Sequence, residues 1–145
     1  MRGLWCCTLL ALPVLGCGGQ LPYRLAPVSG MVTLNKKPLA KAWVHFAPKA
    51  TDGNPNPGPT SHGQTDANGR FRLIVDPEHP GAVVGESRVF ISTLEAASTG
   101  ADQPDAGGKI LVKERIPARY NQETKVVFVV PAAGSDQANF DLTEP

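Results

Sequence analysis

Lys41-Ala42-Trp43-Val44-His45-Phe46-Ala47 alternates without a break: Ala42, Val44 and Phe46 fall on one side of an extended chain, Trp43 and His45 on the other. Successive side chains of a strand point to opposite faces, so this period of two predicts a strand with one buried face and one outward face. The assignment depends on register, because a slip of one residue exchanges every side chain between core and solvent. Immediately upstream, Val28 to Leu34 repeats the pattern, with Val28, Val32 and Leu34 inward and Ser29, Met31 and Thr33 outward, and Asn35-Lys36-Lys37-Pro38 turns the chain between the two strands.

Downstream, Ala50 to Gly63 contains Asn54-Pro55-Asn56-Pro57-Gly58-Pro59, too rich in proline to pair in a ladder, and reads as a long surface loop. Thr65-Asp66-Ala67-Asn68-Gly69-Arg70 reads as a tight hairpin, since Asp66 can hydrogen-bond the backbone ahead of it and Gly69 can take positive φ. It leads into Arg70 to Val75, with Phe71, Leu73 and Val75 on one face. Glu86 to Thr93 is a further strand in which Val89 and Ile91 alternate with Arg88 and Phe90. Ala96 to Gly108 reads as a second loop, and between Lys109 and Asn121 only Ile110 and Val112 fit a short strand, Pro117 preventing a long helix. Lys125 to Val130, apolar on both faces, is expected to be a central strand. After Gly134, the last strand runs from Ala138 to Leu142 with Phe140 and Leu142 inward. Fifteen glycines and fourteen prolines in 145 residues, against an average of about 12% for the two together, agree with an all-β sandwich.

The N-terminus carries a different kind of signal. Arg2 precedes the uncharged apolar run Leu4 to Leu15, which is shorter than the about 20 residues needed to span a bilayer and reads as a leader to be removed. Val14-Leu15-Gly16-Cys17 resembles the lipobox of bacterial lipoproteins, with Val14 standing where leucine is usual. The resemblance implies cleavage before Cys17 and a thioether-linked lipid on its sulfur. Cys6 and Cys7 then leave with the leader, so Cys17 is the one thiol retained and no intramolecular disulfide can form. The expected organisation is a leader over 1–16, a lipidated tether over 17–26 and a single domain over 27–145. Loss of Arg2 balances the remaining basic residues against the 13 acidic ones, which argues against a nucleic-acid partner. The expected location is therefore exported and held at a membrane, in the periplasm or at the cell surface, with the lipid supplying the attachment.

Three stretches taken together resemble a known module: Ser29-Gly30-Met31-Val32-Thr33-Leu34, then Lys37-Pro38-Leu39-Ala40 with Val44-His45-Phe46, then Gly63-Gln64-Thr65-Asp66-Ala67-Asn68-Gly69-Arg70-Phe71. They are similar to the carboxypeptidase regulatory-like domains of transthyretin-like (prealbumin-like) fold. Gly81-Ala82-Val83-Val84-Gly85 and Pro117-Ala118-Arg119-Tyr120-Asn121 resemble small bacterial lipoproteins built on the same module. The resemblance implies a seven-stranded Greek-key β-sandwich used as an accessory or surface module. Lys36 departs from it, since many such domains have glycine in that turn.

Candidate chemistry is sparse. His45, His62 and His79 are far apart in sequence, His45 on a strand and the other two in loops, so each is expected to be solvated or locally hydrogen-bonded rather than a metal ligand. Gln64 to Gly69 has oxygen-bearing side chains at alternate positions, but Val75 stands where a calcium loop needs its closing glutamate. The Tyr-Arg-Gly-Ser terminus of transthyretin-like hydroxyisourate hydrolases is replaced here by Phe140-Asp141-Leu142-Thr143-Glu144-Pro145. The two tyrosines and two histidines of intradiol dioxygenases are not met, as Tyr23 falls in the tether and leaves Tyr120 alone. Ser61-His62 are adjacent and point apart on an extended chain, which is poor geometry for a nucleophile and its base. No catalytic residue, metal ligand or cofactor-binding residue is therefore assigned, and the chain is expected not to be an enzyme.

Two further features are structural or surface in character. Tyr120 is expected to tie down the connection before it through its hydroxyl, in the manner of a tyrosine corner. Lys109, Lys113, Arg115 and Arg119 form a basic run that reads as a solvated face. Trp43, His45, Arg88 and Phe90 all fall on outward faces, and form one ligand-facing patch only if their strands share a sheet. The leading expectation is a membrane-tethered envelope module making protein contacts through strand edges and its two long loops. A glycan-binding module stacking sugar on Trp43 is the second, and a cryptic hydrolase or metalloenzyme the third.

Overall fold

The computed structural model describes residues 22–96 and 110–144. The expected leader, Cys17, the first part of the tether and nearly all of the 96–108 loop lie outside the described residues. In chain order the strands are β1 (Leu25–Ala26), β2 (Ser29–Leu34), β3 (Lys37–Pro38), β4 (Trp43–Pro48), β5 (Ser61–Gln64), β6 (Arg70–Arg72) and β7 (Ile74–Asp76). They continue as β8 (His79–Pro80), β9 (Ala82–Val83), β10 (Gly85–Ser92), β11 (Glu95–Ala96), β12 (Ile110–Val112), β13 (Val127–Val130) and β14 (Phe140–Leu142), with one 3-10 turn at Ala118–Tyr120.

A six-stranded sheet runs β13-β10-β4-β5-β7-β8, and a four-stranded one has β14-β2-β3 with β6 also on β2. Two short ladders, β1-β9 and β11-β12, complete the pairing. Every ladder is antiparallel except that of β14 with β2, where Phe140 lies opposite Val32 in parallel register. The chain is thus all-β, with the inward side chains of both principal sheets merging into one core, as in a β-sandwich.

The alternation that opens the sequence reading holds in space. Ala42, just before β4, and Val44 and Phe46 on β4 are fully buried, as are Val32 of β2 and Val89 of β10. Phe46 is the hub: its ring lies 5.4 Å from that of Phe128 and 6.1 Å, edge-on, from that of Phe140. Phe140 in turn stacks 6.3 Å from Phe71, so aromatic contacts bind the six-stranded sheet to the four-stranded one. Such pairs add about 0.5–1.5 kcal/mol each beyond the area they bury.

Turns and connections depart from expectation in instructive ways. Asn35 and Lys36 both have positive φ, 51° and 66°, the signature of the type I′ turn whose twist suits a two-residue hairpin. Lys36 therefore occupies a left-handed position without glycine, and its ammonium pairs with Asp141 on β14. The Asp66 turn forms as read: its Oδ1 accepts from the amides of Asn68 (2.8 Å) and Arg70 (2.9 Å), and Gly69 takes φ 73°. A Cβ there would meet the Val32 carbonyl oxygen at 2.5 Å, so glycine is required twice over. The arms of this turn do not pair as a hairpin, because β5 joins β4 while β6 joins β2.

The expected strand Arg70 to Val75 instead changes sheets at Leu73, whose amide bonds the Val28 carbonyl (3.0 Å) before β7 continues alongside β5. Leu25 and Ala26, expected in the tether, pair with Val83 and Ala82, and Ala26 is buried in the core.

Two corrections concern the larger sheet. Ser61–Gln64, expected to be the end of a loop, is a strand paired along β4. Lys125 to Val130, expected to be central, supplies the edge strand β13, with Val127 49% and Val129 64% exposed. Its two apolar faces are not two buried faces: Phe128 and Val130 turn inward while the intervening valines face solvent.

Buried hydroxyls test how polar groups are accommodated. Thr65 donates to the Leu39 carbonyl (2.6 Å) and accepts from the Ala42 amide (2.8 Å), whereas the hydroxyls of Ser61 and Ser87 are buried without a partner among the described residues. Thr65→Ala is expected to lower unfolding free energy by about 1–3 kcal/mol, because it strands a buried amide and carbonyl. Ser87→Ala should be neutral or stabilising by up to about 1 kcal/mol. Urea titration followed by circular dichroism measures both, and a larger loss for Ser87→Ala than for Thr65→Ala would contradict this account.

Candidate functional site

The outer face of the six-stranded sheet gathers the aromatic and imidazole side chains. Across the β10-β4 ladder, Phe90 lies opposite His45, Ser92 opposite Trp43 and Arg88 opposite Ala47. Across the β4-β5 ladder, His45 lies opposite His62 and Trp43 opposite Gln64, and His62 is followed by Ile74 on β7. The sheet thus carries one row of Phe90, His45, His62 and Ile74, flanked by a row containing Trp43 and, on the other side, by Arg88 and Val127. Because neighbours two apart on a strand share a face, burying Val44 and Phe46 obliges Trp43 and His45 to stand here.

The four patch residues named from sequence, Trp43, His45, Arg88 and Phe90, therefore share one sheet and one face. His62 was missed. Ser61-His62-Gly63-Gln64 reads as loop because it has no β-branched or large apolar residue, and in the structure buried Ser61 and Gly63 alternate with His62 and Gln64 as in a strand. His79 lies elsewhere, at the end of β7-β8, where its Nδ1 pairs with Asp76 at 2.8 Å.

Trp43, His45 and His62 form a triangle of rings. Centroids are 6.2 Å apart for Trp43 and His45, 6.0 Å for Trp43 and His62, and 6.3 Å for the two imidazoles. All three side chains are partly exposed, as is Phe90, while Arg88 is exposed. Burial, and then the neighbouring His62, push the His45 imidazole below its ordinary pKa of 6.5.

The end of the patch beside Trp43 is fixed by one carboxylate. Glu114 accepts from the Ser92 hydroxyl, from the Thr93 amide (3.0 Å) and hydroxyl (2.8 Å), and from the Ile116 amide (2.9 Å). Partial burial opposes its ionisation, yet these donors prevail and hold the carboxyl below its ordinary range. The segment following β12 is thereby tied to the end of β10.

Tyr120 also acts as a tie, though not to the preceding connection. Its hydroxyl meets Thr143, 3.3 Å from both Oγ1 and the backbone amide, and so pins the chain after β14. Hydrogen bonds from Thr143 and then Arg119, whose guanidinium sits 4.9 Å over the ring, lower the phenol to about 8. A polar cleft of about 650 Å³ lies apart from the aromatic patch, with Arg70 and Arg72 on one wall and Asp66 and Asp136 among the others. Among the described residues, no three or more His, Cys, Asp or Glu side chains gather as a metal cluster would.

No family model and no curated protein matches the chain. Among solved structures, a 9R-lipoxygenase from Cyanothece PCC8801 is similar to 83% of this chain at 18% identity, with a TM-score of 0.36. The chain spans 16% of that protein's length, and a likeness of this degree carries nothing over about fold or activity.

The lowered pKa of His45 has a consequence for stability. Since the unfolded chain takes up this proton first, the contribution is present above about pH 6.5 and is lost as the pH falls below it. The ionisable group directly opposite it is His62 on β5, which opposes its protonation, while Arg88 and Glu86 on β10 share the face at neighbouring positions. His45→Gln is expected to reduce the fall in stability between about pH 7 and pH 5. Urea unfolding at the two pH values checks this, and an unchanged slope would count against it.

Proposed function

We propose that the chain is a lipid-anchored module of the cell envelope that docks a protein partner on the outer face and free edge of its larger sheet. The exposure of Val127 and Val129 on an edge strand paired only with β10 is the observation that carries this reading. An edge strand presents unpaired amides and carbonyls that template a further strand, and native proteins usually blunt such edges with charge. Here the exposed positions of β13 are valines, bordered on β10 by Arg88 and Glu86, beyond which the same face carries Phe90 and the Trp43 triangle. A partner strand added to β13 would gain main-chain hydrogen bonds along the edge and apolar contacts across the face.

The address rests on the sequence: the Leu4 to Leu15 run and the lipobox ending at Cys17 imply a lipid tether, and among the described residues no helix is long and apolar enough to cross a membrane. The order of motifs supports placing the module with carboxypeptidase regulatory-like domains of transthyretin-like fold. Mass spectrometry of the protein from native membranes should find diacylglycerol on Cys17, and a free thiol or an intact leader would contradict the tether.

A second reading is favoured by the Trp43 triangle, since a flat indole beside two imidazoles on an open sheet face is a surface on which a sugar ring can stack. It predicts quenching of tryptophan fluorescence by envelope glycans and loss of that response in Trp43→Ala.

For the docking reading, a photoreactive residue at position 86 on β10, opposite Val129, should crosslink one dominant protein in intact cells. Val127→Lys with Val129→Lys should reduce that product by about tenfold or more, because two charges would be desolvated at the contact. Both positions face solvent, so the thermal midpoint is expected to move little. Equal crosslinking by the double variant, or labelling of glycan alone, would contradict protein docking at this edge.

A further inference from the structure

We propose that His45 and His62 form a two-imidazole chelate for a transition-metal ion, open to water or to a third ligand from outside the chain. The site shares the outer face invoked for docking but rests on a different observation, the cross-strand histidine pair, and among the described residues it belongs to no cluster of three or more ligands.

The geometry of the sheet carries it. His45 and His62 occupy directly opposed positions on antiparallel strands, where Cβ atoms stand about 4.5–5.5 Å apart, and both side chains leave the same face. Their ring centroids lie 6.3 Å apart with planes inclined by 34°. An imidazole nitrogen binds zinc at about 2.0–2.1 Å, so two rings sharing one ion have centroids roughly 5–6 Å apart. The present separation therefore needs only small side-chain rotations to close on an ion. The strands themselves are held by the ladder and by the buried residues beneath them, Val44 and Phe46, so the backbone offers the two ligands preassembled.

The surroundings agree. Among the described residues, neither imidazole has a hydrogen-bond partner, and both rings are partly exposed on the sheet face. Ionisable residues on the flanking strands are Glu86 and Arg88 on β10 and Asp76 on β7, but the positions directly opposite the pair are Phe90 and Ile74, so none of these charges stands in register with the chelate.

The donor set selects the class of ion. Two imidazoles without carboxylate or thiolate suit zinc, nickel or copper in the divalent state and give little hold on calcium or magnesium, which require several oxygens. Two protein nitrogens leave at least two positions of a tetrahedral ion open, as in sites that accept an exogenous ligand. Trp43, about 6 Å from both rings, places a fluorophore where a paramagnetic ion at the chelate would quench it.

The test uses the full chain in detergent with its three cysteines alkylated, titrated with nickel(II) and followed by tryptophan fluorescence and calorimetry. One ion per chain is expected to bind and quench. His45→Gln and His62→Gln should each weaken binding by about a hundredfold, because the second imidazole acts at high effective concentration once the first has bound. The double variant should lose at least as much as either single one but less than the sum of their losses, and His79→Gln should bind as the parent does. In the unaltered protein, zinc(II) should move the ring proton resonances of His45 and His62 together while those of His79 stay in place, a readout that needs no variant to fold. Independent, additive losses from the two single variants would overturn the chelate, as would quenching that survives in the double variant or ring shifts confined to one histidine.

Discussion

The contact of Phe46 with Phe140 is the constraint on which the rest depends. Phe46 belongs to the six-stranded sheet and Phe140 to the four-stranded one, and their edge-on packing, with Phe128 and Phe71 on either side, holds the sheets together. Truncation of such a buried ring costs about 3–5 kcal/mol, a large part of the stability available to a domain of this size. Once Phe46 faces inward, the period of the strand leaves no freedom: Trp43 and His45 must face out. The surface chemistry of the protein is thus set by its core, without any need for the surface residues to stabilise the fold themselves.

Alternation was legible wherever apolar residues were large and regularly spaced. Val28 to Leu34, Ala42 to Phe46 and Val89 to Ile91 could each be placed on the correct face, and the Asp66-Gly69 turn declared itself through an acceptor side chain and a glycine able to take positive φ. Short strands without such residues were not legible. Ser61–Gln64 is held by its neighbours on both sides rather than by its own β propensity, so a proline-rich approach disguised it as loop. Read as a loop residue, His62 stands outside the patch, and only the β4-β5 register brings it opposite His45. Edge and centre were also indistinguishable from sequence for Lys125 to Val130, since exposed and buried valines read alike. The strand that switches sheets at Leu73 hid for a related reason: its residues alternate evenly while their backbone partners change.

Polar ties complete what packing leaves open. Thr65 fixes the approach to β4, Glu114 gathers the end of β10, and Tyr120 holds the segment after β14. Each lies at a connection, where backbone groups would otherwise lack partners, and each spares the outer face from carrying structural bonds. Trp43, His45, His62 and Phe90 consequently stand together on a hydrogen-bonded sheet, and among the described residues no hydrogen bond commits their side chains.

The register of β10, β4 and β5 supports every statement about the face, and it can be observed directly by nuclear Overhauser spectroscopy on isotopically labelled protein. Cross-strand contacts should link Phe90 with His45 and His45 with His62, while the Phe46 ring shows contacts to Phe128 and Phe140. A pattern shifted by one residue, pairing Phe46 with neighbours of the outer row, would place the aromatic triangle inside the protein and contradict the account.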